Sequence, residues 1–210
     1  MKDSWKNKEV FLKQLEGNLK ELNQPQGYPQ HWNILLFLLE DSRTGDVDSI
    51  LEVGCGVGAI SKLLKRHLPQ ISYHGLDYSE DAIEIAKENW GEPERFFVKD
   101  FWDLQKDDFV GYDLVLESAM IDVMPNGDEA VDFLLKLQPK RVYFQRLKLV
   151  EDESYYTVGS AYDTIQTCQY HHNLESFESM LSENGYAWIK INLGHEFYGY
   201  WAELKTGEQK

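Results

Sequence analysis

The chain has 210 residues, of which 36 are acidic and 21 are basic, so its formal net charge at pH 7 is −15. This length fits one domain with a substantial core, but it is too short for a cofactor domain plus a complete second catalytic domain. The acidic excess argues against a nucleic-acid partner, because affinity for nucleic acids rests largely on cations that neutralise phosphates.

The first 48 residues predict a helical extension. Apolar side chains recur at helical spacing over about residues 4–22, and Pro25 and Pro29 then interrupt the helix. A second helix over about residues 30–40 is apolar on most of its surface, which predicts burial against the main body. We therefore assign residues 1–48 to an N-terminal helical extension, either a lid over the main domain or an interface in a homodimer.

From Ser49 onward, strands alternate with helices, which predicts a parallel sheet covered on both faces. A stretch of about twenty-five residues follows the fifth strand, and its tyrosines favour a functional loop over a disordered one. Asn173 is expected to cap the next helix, and a terminal hairpin completes a domain over residues 49–206, before a tail at 207–210. The predicted strands lie at about residues 50–53, 71–76, 96–98, 112–116, 142–144, 186–191 and 198–204.

Three alternate glycines, Gly54, Gly56 and Gly58, separate the first strand from the first helix of this domain. Backbone without Cβ atoms lets a ligand lie against such a turn, and the positive end of the following helix favours anionic or nucleotide-like groups. The loop fits both a nucleoside cofactor and a dinucleotide. By itself it does not decide between S-adenosylmethionine and a nicotinamide cofactor.

Other residues favour S-adenosylmethionine. Glu52 stands in the first strand, where a dinucleotide binder keeps an apolar residue and where an unpartnered carboxylate is costly. Asp100 and Phe101 follow the third strand and offer an acceptor and an apolar wall for an adenine. Asp77 ends the second strand, where a carboxylate suits a ribose diol in either case.

With these motifs, the sequence resembles the class I, Rossmann-like S-adenosylmethionine-dependent methyltransferases. The resemblance covers about residues 49–122 by motif, in the segments Glu52–Gly58, Gly75–Ser79, Val98–Phe101 and Tyr112–Glu117. It implies an α/β fold with a doubly wound sheet of seven strands in the order 3-2-1-4-5-7-6, strand seven antiparallel, behind the N-terminal extension.

The resemblance also implies which residues contact the cofactor. Backbone near Gly54 would contact its amino-acid end, Asp77 its ribose, Tyr78 and Phe101 its adenine faces, and Asp100 the adenine edge. Backbone near Glu117 would close the site around the sulfonium. The full set implied is Glu52, Gly54, Cys55, Gly56, Gly58, Asp77, Tyr78, Asp100, Phe101, Glu117 and Ser118. The side chain of Cys55 is expected only to pack.

The acceptor side is predicted from the chemistry of methyl transfer. Such a displacement needs an aligned nucleophile, exclusion of water and, for a hydroxyl, a base. His171 and His172 in the long loop, and Asp122 after the fourth strand, are candidate bases, with ordinary loop residues as the alternative reading of each. Candidate acceptor contacts are Tyr28, His31, Trp32 and Gln145, of which Trp32 could equally belong to the core. Arg146, beside Gln145 at the end of the fifth strand, is a further candidate contact to a polar acceptor, with an ordinary strand-end residue as the alternative.

We therefore predict a methyltransferase that acts on a small molecule. An oxygen acceptor is favoured, because aromatic and histidine side chains rather than cations populate the expected acceptor loops. Two alternatives stay open, a domain that holds or senses the cofactor without catalysis and a short nicotinamide-dependent oxidoreductase. The Asn-Pro-Pro-Tyr signature of base and glutamine methylation is absent, and no cluster at metal-ligand spacing predicts a metal.

The expected location is the cytoplasm. Cys55 and Cys168 are far apart in sequence, which indicates neither a disulfide framework nor a metal cluster. The first residues are charged where a signal peptide would be apolar, and the longest apolar run, residues 34–39, is far too short to cross a membrane.

Overall fold

The structure, a computed structural model, describes residues 5–24 and 26–205. The predicted tail at 207–210, the helix-breaking Pro25 and the first four residues lie outside the described part of the chain. The helices are α1 (Lys8–Leu22), α2 (Gln30–Glu40), α3 (Ala59–His67), α4 (Glu80–Trp90), α5 (Gly127–Lys136) and α6 (Leu174–Glu183).

Side-chain caps fix where several helices begin. Asn7 accepts a hydrogen bond from the amide of Glu9, so α1 begins later than the apolar pattern predicted. Ser79 accepts from the amide of Ala82 and Asn173 from that of Ser176, as expected for α4 and α6.

One sheet runs through the described residues. Its strands are β1 (Ser49–Val53), β2 (Ser72–Asp77), β3 (Phe96–Val98), β4 (Leu114–Ser118), β5 (Arg141–Val150), β6 (Tyr155–Ala161), β7 (Ile165–Asn173), β8 (Tyr186–Asn192) and β9 (Phe197–Leu204). Parallel strands follow the order β3-β2-β1-β4-β5, and β9 pairs antiparallel with both β5 and β8. With β9 and β8 as the predicted seventh and sixth strands, this is the expected order 3-2-1-4-5-7-6, and the predicted fold class is confirmed.

The predicted long loop after the fifth strand is wrong. Strand β5 continues to Val150, and β6 and β7 form an antiparallel hairpin that joins β5 through Leu149 and Val150. The sheet therefore has nine strands. The turn between β6 and β7 has positive φ at Tyr162 and Asp163. Turns of this kind are usually recognised in a sequence by glycine or asparagine, and this turn contains neither.

Helices cover both faces of the sheet. Apolar side chains of α2, α3 and α4 pack on one face, and those of α5 and α6 pack on the other. The extension adds a smaller cluster, in which Phe11 of α1 packs against Val57 and against Ala82 and Ile85 of α4. The extension is thus held directly beside the glycine loop.

Candidate functional site

A cavity of about 710 Å³ opens where β1, β2 and β4 end. Its first half is walled by the glycine loop and the residues after these strands, and its second half by β5, β7, β9 and the turn after β4. Trp5, Phe11 and Gln14 of the extension also line it. Because the carboxyl ends of parallel strands meet here, this is the expected place for a ligand in such a sheet.

The glycine loop forms one wall because glycine alone suits its backbone. Gly54, Gly56 and Gly58 have φ angles of 72°, 52° and 74°. A Cβ atom on Gly54 would lie 2.6 Å from the Met120 side chain, and one on Gly58 would lie 2.5 Å from the Phe96 ring. The loop thus presents bare backbone to the cavity at Gly54 and Gly56, whereas Gly58 faces the core and begins α3.

Asp77 ties this loop to the end of β2. Its carboxylate lines the cavity and accepts hydrogen bonds from the amides of Gly56 and Ser79, each at 2.9 Å. Burial raises the pKa of Asp77 to about 6, against the lowering effect of these backbone donors. The loop and this carboxylate therefore form one rigid unit.

Aromatic and acidic residues after β2 and β3 form the next wall. Tyr78, Asp100 and Phe101 line the cavity, as does Trp102, which the sequence analysis did not single out. Asp100 accepts from the amide of Trp102 at 3.1 Å, and the rings of Phe101 and Trp102 meet edge to face with centroids 5.0 Å apart. The predicted adenine contacts thus lie together on one wall.

Two buried glutamates, Glu52 and Glu117, lie behind the glycine loop, and burial favours the protonated form of each. Glu52 accepts from the Tyr73 hydroxyl at 2.5 Å, and burial, reinforced by the charges of Asp77 and Glu117, raises its pKa to about 8. Oε1 of Glu117 accepts from the amides of Met120 and Ile121 at 2.7 and 2.9 Å. Burial raises the pKa of Glu117 to about 8 as well. Glu117 lies outside the cavity wall and shapes the turn after β4, whereas Ser118 lines the cavity.

Of the three candidate bases, Asp122 lies at the cavity. Its Oδ1 atom is buried and has no hydrogen-bond partner among the described residues, and burial raises its pKa to about 6. The histidines lie within β7 instead of a loop, and neither lines the cavity. His172 is fully buried with Nδ1 2.7 Å from Asp128, and His171 stacks on Tyr155 with centroids 4.6 Å apart.

A second cavity, of about 620 Å³, adjoins the first and shares Gly54, Ser118 and Arg146 with it. It contains His31 and Trp32, and also Glu52 and Cys55. Trp32 is 4% exposed, so it is also a core residue, as the alternative allowed.

The remaining acceptor candidates act as structural links. Gln145 is fully buried, accepts from the Ser118 hydroxyl at 2.8 Å and donates to the backbone carbonyl of His31 at 2.9 Å. Tyr28 lines neither cavity, and its hydroxyl lies 2.8 Å from Nε2 of His67. Burial lowers the pKa of His31 to about 4, so its ring is neutral at pH 7.

Two cations line the second half of the first cavity, namely Arg146, which was a candidate contact to a polar acceptor, and Lys148, which was not predicted. Arg146 lies at a break in the register of β5, with φ of 69°, and Lys148 follows two residues later. Both lie over the Phe197 ring, at 5.6 Å from its centroid. The alternation Arg146-Leu147-Lys148-Leu149 has the period of a strand and was the available signal. The expectation that aromatic and histidine side chains rather than cations populate the acceptor side is therefore wrong, although Arg146 itself was a candidate contact.

No group of three or more histidine, cysteine or acidic side chains within 5–24 and 26–205 is placed to hold a metal ion. No helix in that part of the chain combines the length and apolar character needed to span a bilayer.

Residues 51–140 match a family model described as a methyltransferase domain. The chain is 33% identical over 98 residues to malonyl-acyl-carrier-protein O-methyltransferase 2 of Ilyobacter polytropus, covering 46% of this chain and 36% of that protein. It is 45% identical over 53 residues to ribosomal RNA large subunit methyltransferase G of Shewanella woodyi, and this match covers 25% of this chain and 13% of that protein. The chain thus matches well under half the length of these relatives.

Solved structures share the fold over most of both chains. Magnesium protoporphyrin IX methyltransferase (ChlM) of Synechocystis PCC 6803, solved with bound SAH, is similar with a TM-score of 0.60 and 16% identity over 84% of this chain and 83% of that one. DesVI of Streptomyces venezuelae is similar with a TM-score of 0.62 and 14% identity, over 89% of this chain and 96% of that one. At these identities the likeness concerns the fold.

Proposed function

We propose that this chain transfers a methyl group from S-adenosylmethionine, its cofactor, to an oxygen nucleophile on a small molecule. Its fold is that of the class I S-adenosylmethionine-dependent methyltransferases. The observation that carries the cofactor site is the junction of the glycine loop with Asp77 at the first cavity. The oxygen acceptor rests on Asp122, a buried carboxyl group at the same cavity that can take a proton from a hydroxyl. The predicted cytoplasmic location remains part of this proposal.

The residues present fit this cofactor. Backbone at Gly54 and Gly56 leaves a cradle that any Cβ atom would fill, with Met120 or Gln14 less than 3 Å away. Beside it, Asp77 is a buried carboxylate acceptor that suits a diol. We propose that Asp77 binds the ribose, that Asp100 accepts from the adenine edge, and that aromatic rings wall the adenine, namely those of Tyr78, Phe101 and Trp102.

S-adenosylmethionine supplies, when bound, a methyl group on a sulfonium that a nucleophile can attack in line. The chain must then position the acceptor and take a proton from its hydroxyl. We assign the proton to the carboxyl group of Asp122, a residue that lines the cavity and whose buried Oδ1 atom has no hydrogen-bond partner among the described residues. A base with a pKa of about 6 is mostly ionised at neutral pH and still accepts a proton.

The extension is proposed to cover the site and keep water out. Trp5 donates to the Thr167 hydroxyl of β7 at 3.0 Å, and Gln14 accepts from the Val57 amide at 3.2 Å. These contacts join the extension to both halves of the cavity. Exclusion of water protects a reactive sulfonium and strengthens electrostatic contacts in the site.

Calorimetric titration with S-adenosylhomocysteine tests the cofactor site. Asp77→Asn keeps the size of the side chain but removes its charge, and we expect at least about tenfold weaker binding. The matched control is Asp113→Asn, because Asp113 also accepts a backbone amide, that of Asp48, yet lies outside both cavities. No binding to the unaltered protein would refute the site, and equal losses in both variants would refute the role of Asp77.

Transfer of label from methyl-labelled S-adenosylmethionine into a metabolite extract tests catalysis. We expect labelled small molecules whose mass spectra identify a methyl on oxygen, and loss of labelling in Asp122→Asn with cofactor affinity retained. Labelled amine or carbon products would contradict the oxygen acceptor. Cofactor binding without any transfer would indicate a domain that holds the cofactor only.

A further inference from the structure

The second half of the first cavity, which is walled by β5, β7 and β9, carries positive charge in a strongly acidic protein. The chain has a net charge of −15, yet Arg146 and Lys148 both line this half. They come from the same strand and lie over the same ring, that of Phe197 at the start of β9. Two cations side by side in a cavity favour the binding of an anionic ligand.

The backbone directs Arg146 to this place at a cost. A non-glycine residue with φ near 69° is strained, and here it coincides with the shift in pairing between Phe144 and Leu147. Bulges re-aim side chains, and this one brings the guanidinium to the wall that both cavities share.

Arg146 is also chemically uncommitted. Among the described residues it forms no salt bridge and no hydrogen bond, and its guanidinium lies over the Phe197 ring. Arg141 of the same strand shows the contrast, because it donates to Glu203 at 3.0 Å and to the Asp46 carbonyl at 3.1 Å. A half-buried guanidinium with five free donors is suited to a carboxylate.

Lys148 adds a second positive charge and forms no salt bridge among the described residues. Its ammonium donates to the amide oxygen of Gln169 at 3.2 Å, which is a neutral acceptor. Three carboxyl groups lie in the field of Arg146, those of Glu21, Glu117 and Asp122, and Asp122 lies in the field of Lys148 as well. None of them is within salt-bridge distance of either cation among the described residues. Both cations therefore have hydrogen-bond donors left for a ligand in the cavity.

We propose that the methyl acceptor is a small organic carboxylate whose anionic group binds Arg146 and Lys148, while its apolar part lies against Phe197 and Tyr162. The inference rests on the proposed function, since it names the class of acceptor for that site. The carboxylate orients the molecule, and the hydroxyl to be methylated lies on the side of Asp122. Bidentate pairing with a guanidinium in a sheltered site gives both affinity and orientation.

Binding of simple probes tests this without turnover. Benzoate and its neutral counterpart benzamide are titrated by calorimetry or ligand-observed NMR, up to about 10 mM, with and without saturating S-adenosylhomocysteine. We expect benzoate to bind at least about tenfold more tightly than benzamide to the unaltered protein, because a charge-assisted hydrogen bond is stronger than a neutral one.

Charge-removing variants locate the preference. In Arg146→Gln/Lys148→Gln we expect benzoate and benzamide to bind equally, with S-adenosylhomocysteine affinity unchanged within about twofold. The control is Lys190→Gln, which removes an exposed lysine that also lies over a ring, 4.9 Å from the Tyr198 centroid, but lines neither cavity. This control should keep the preference.

Each contrary result has a distinct meaning. No preference for benzoate, no binding of either probe, or a preference that survives in the double variant would overturn the inference, as would binding of inorganic phosphate in place of benzoate. Loss of S-adenosylhomocysteine affinity in the double variant, with the preference kept, would assign the cations to the cofactor's own carboxylate and also overturn it. Failure of the unaltered protein to bind S-adenosylhomocysteine would refute the proposed function instead.

Discussion

Single residues at the glycine loop are constrained from two sides, by backbone angle and by space. Gly58 and Gly91 separate the two constraints, because both have φ of 74°. A Cβ atom on Gly58 would lie 2.5 Å from the Phe96 ring, whereas one on Gly91 would meet nothing within 4 Å. The same substitution at both positions therefore measures how closely the loop is packed.

We expect Gly91→Ala to lower the free energy of unfolding by about 1–2 kcal/mol, the usual cost of a left-handed backbone for a residue with Cβ. Gly58→Ala should lose about 1–3 kcal/mol more, because the Phe96 ring must shift in a packed core. Denaturant unfolding of both variants gives the comparison. Equal losses would mean that the core beside the loop yields without cost.

At the scale of elements, α1 is the part of the extension that holds the glycine loop. Phe11 is 2% exposed against α4 and the loop, while its neighbour Leu12 is 51% exposed. The two side chains offer a comparison within one turn of the same helix.

We expect Phe11→Ala to lower the free energy of unfolding by about 3 kcal/mol and to weaken S-adenosylhomocysteine binding about tenfold, because α1 no longer covers the loop. Leu12→Ala should change the free energy of unfolding by less than about 0.5 kcal/mol and leave binding unchanged. Denaturant unfolding and calorimetry on both variants check this. Full cofactor affinity in Phe11→Ala would show that α1 stabilises the fold without covering the site.

Helices and strands whose bounds depend on local signals, such as apolar periodicity and capping residues, could be predicted from the sequence. Helix α4 begins at the Ser79 cap, and α2 and β3 have the predicted bounds, because apolar periodicity and capping are local properties. The β6–β7 hairpin could not be found, since its turn at Tyr162 and Asp163 lacks the usual residues. Polar residues then made the end of β5 resemble a loop.

The candidate site divides in the same way. Motif residues such as Asp77 and Asp100 lie on the cavity, because the sheet order alone brings the strand ends together. His171 and His172 could not be placed, since their direction depends on the register of a hairpin that was not foreseen. The side-chain direction of Arg146 depends likewise on a bulge, which leaves no mark in composition.

At the scale of the whole molecule, the sheet gathers carboxyl groups that are far apart in sequence. Glu52, Asp77 and Glu117 lie within the last two residues of three neighbouring strands, and burial together with their mutual charge raises the pKa of Glu52 to about 8. The fold therefore carries buried acids that resist ionisation, and its stability must depend on pH.

The sign of that dependence follows from the direction of each shift. Glu52 and Glu117 keep a proton in the folded chain up to about pH 8, whereas an unfolded glutamate loses it near its ordinary pKa of 4.5, so their contribution falls as pH rises. His31 acts in the opposite sense, since its folded pKa of about 4 lies below 6.5, but that gain is complete by about pH 6.5. Between pH 6.5 and 8 the glutamates dominate.

We therefore expect the free energy of unfolding to fall by about 1–3 kcal/mol from pH 6.5 to pH 8, measured by denaturant unfolding at constant ionic strength. Glu52→Gln should reduce that fall by about half, because it removes one of the two groups that must ionise on unfolding. Glu88→Gln, an exposed change of the same charge on α4, should leave the fall intact. A stability that is flat or rises over this range would mean that Glu52 and Glu117 are ionised in the folded protein, and the buried carboxyl groups would then require partners within the sheet edge.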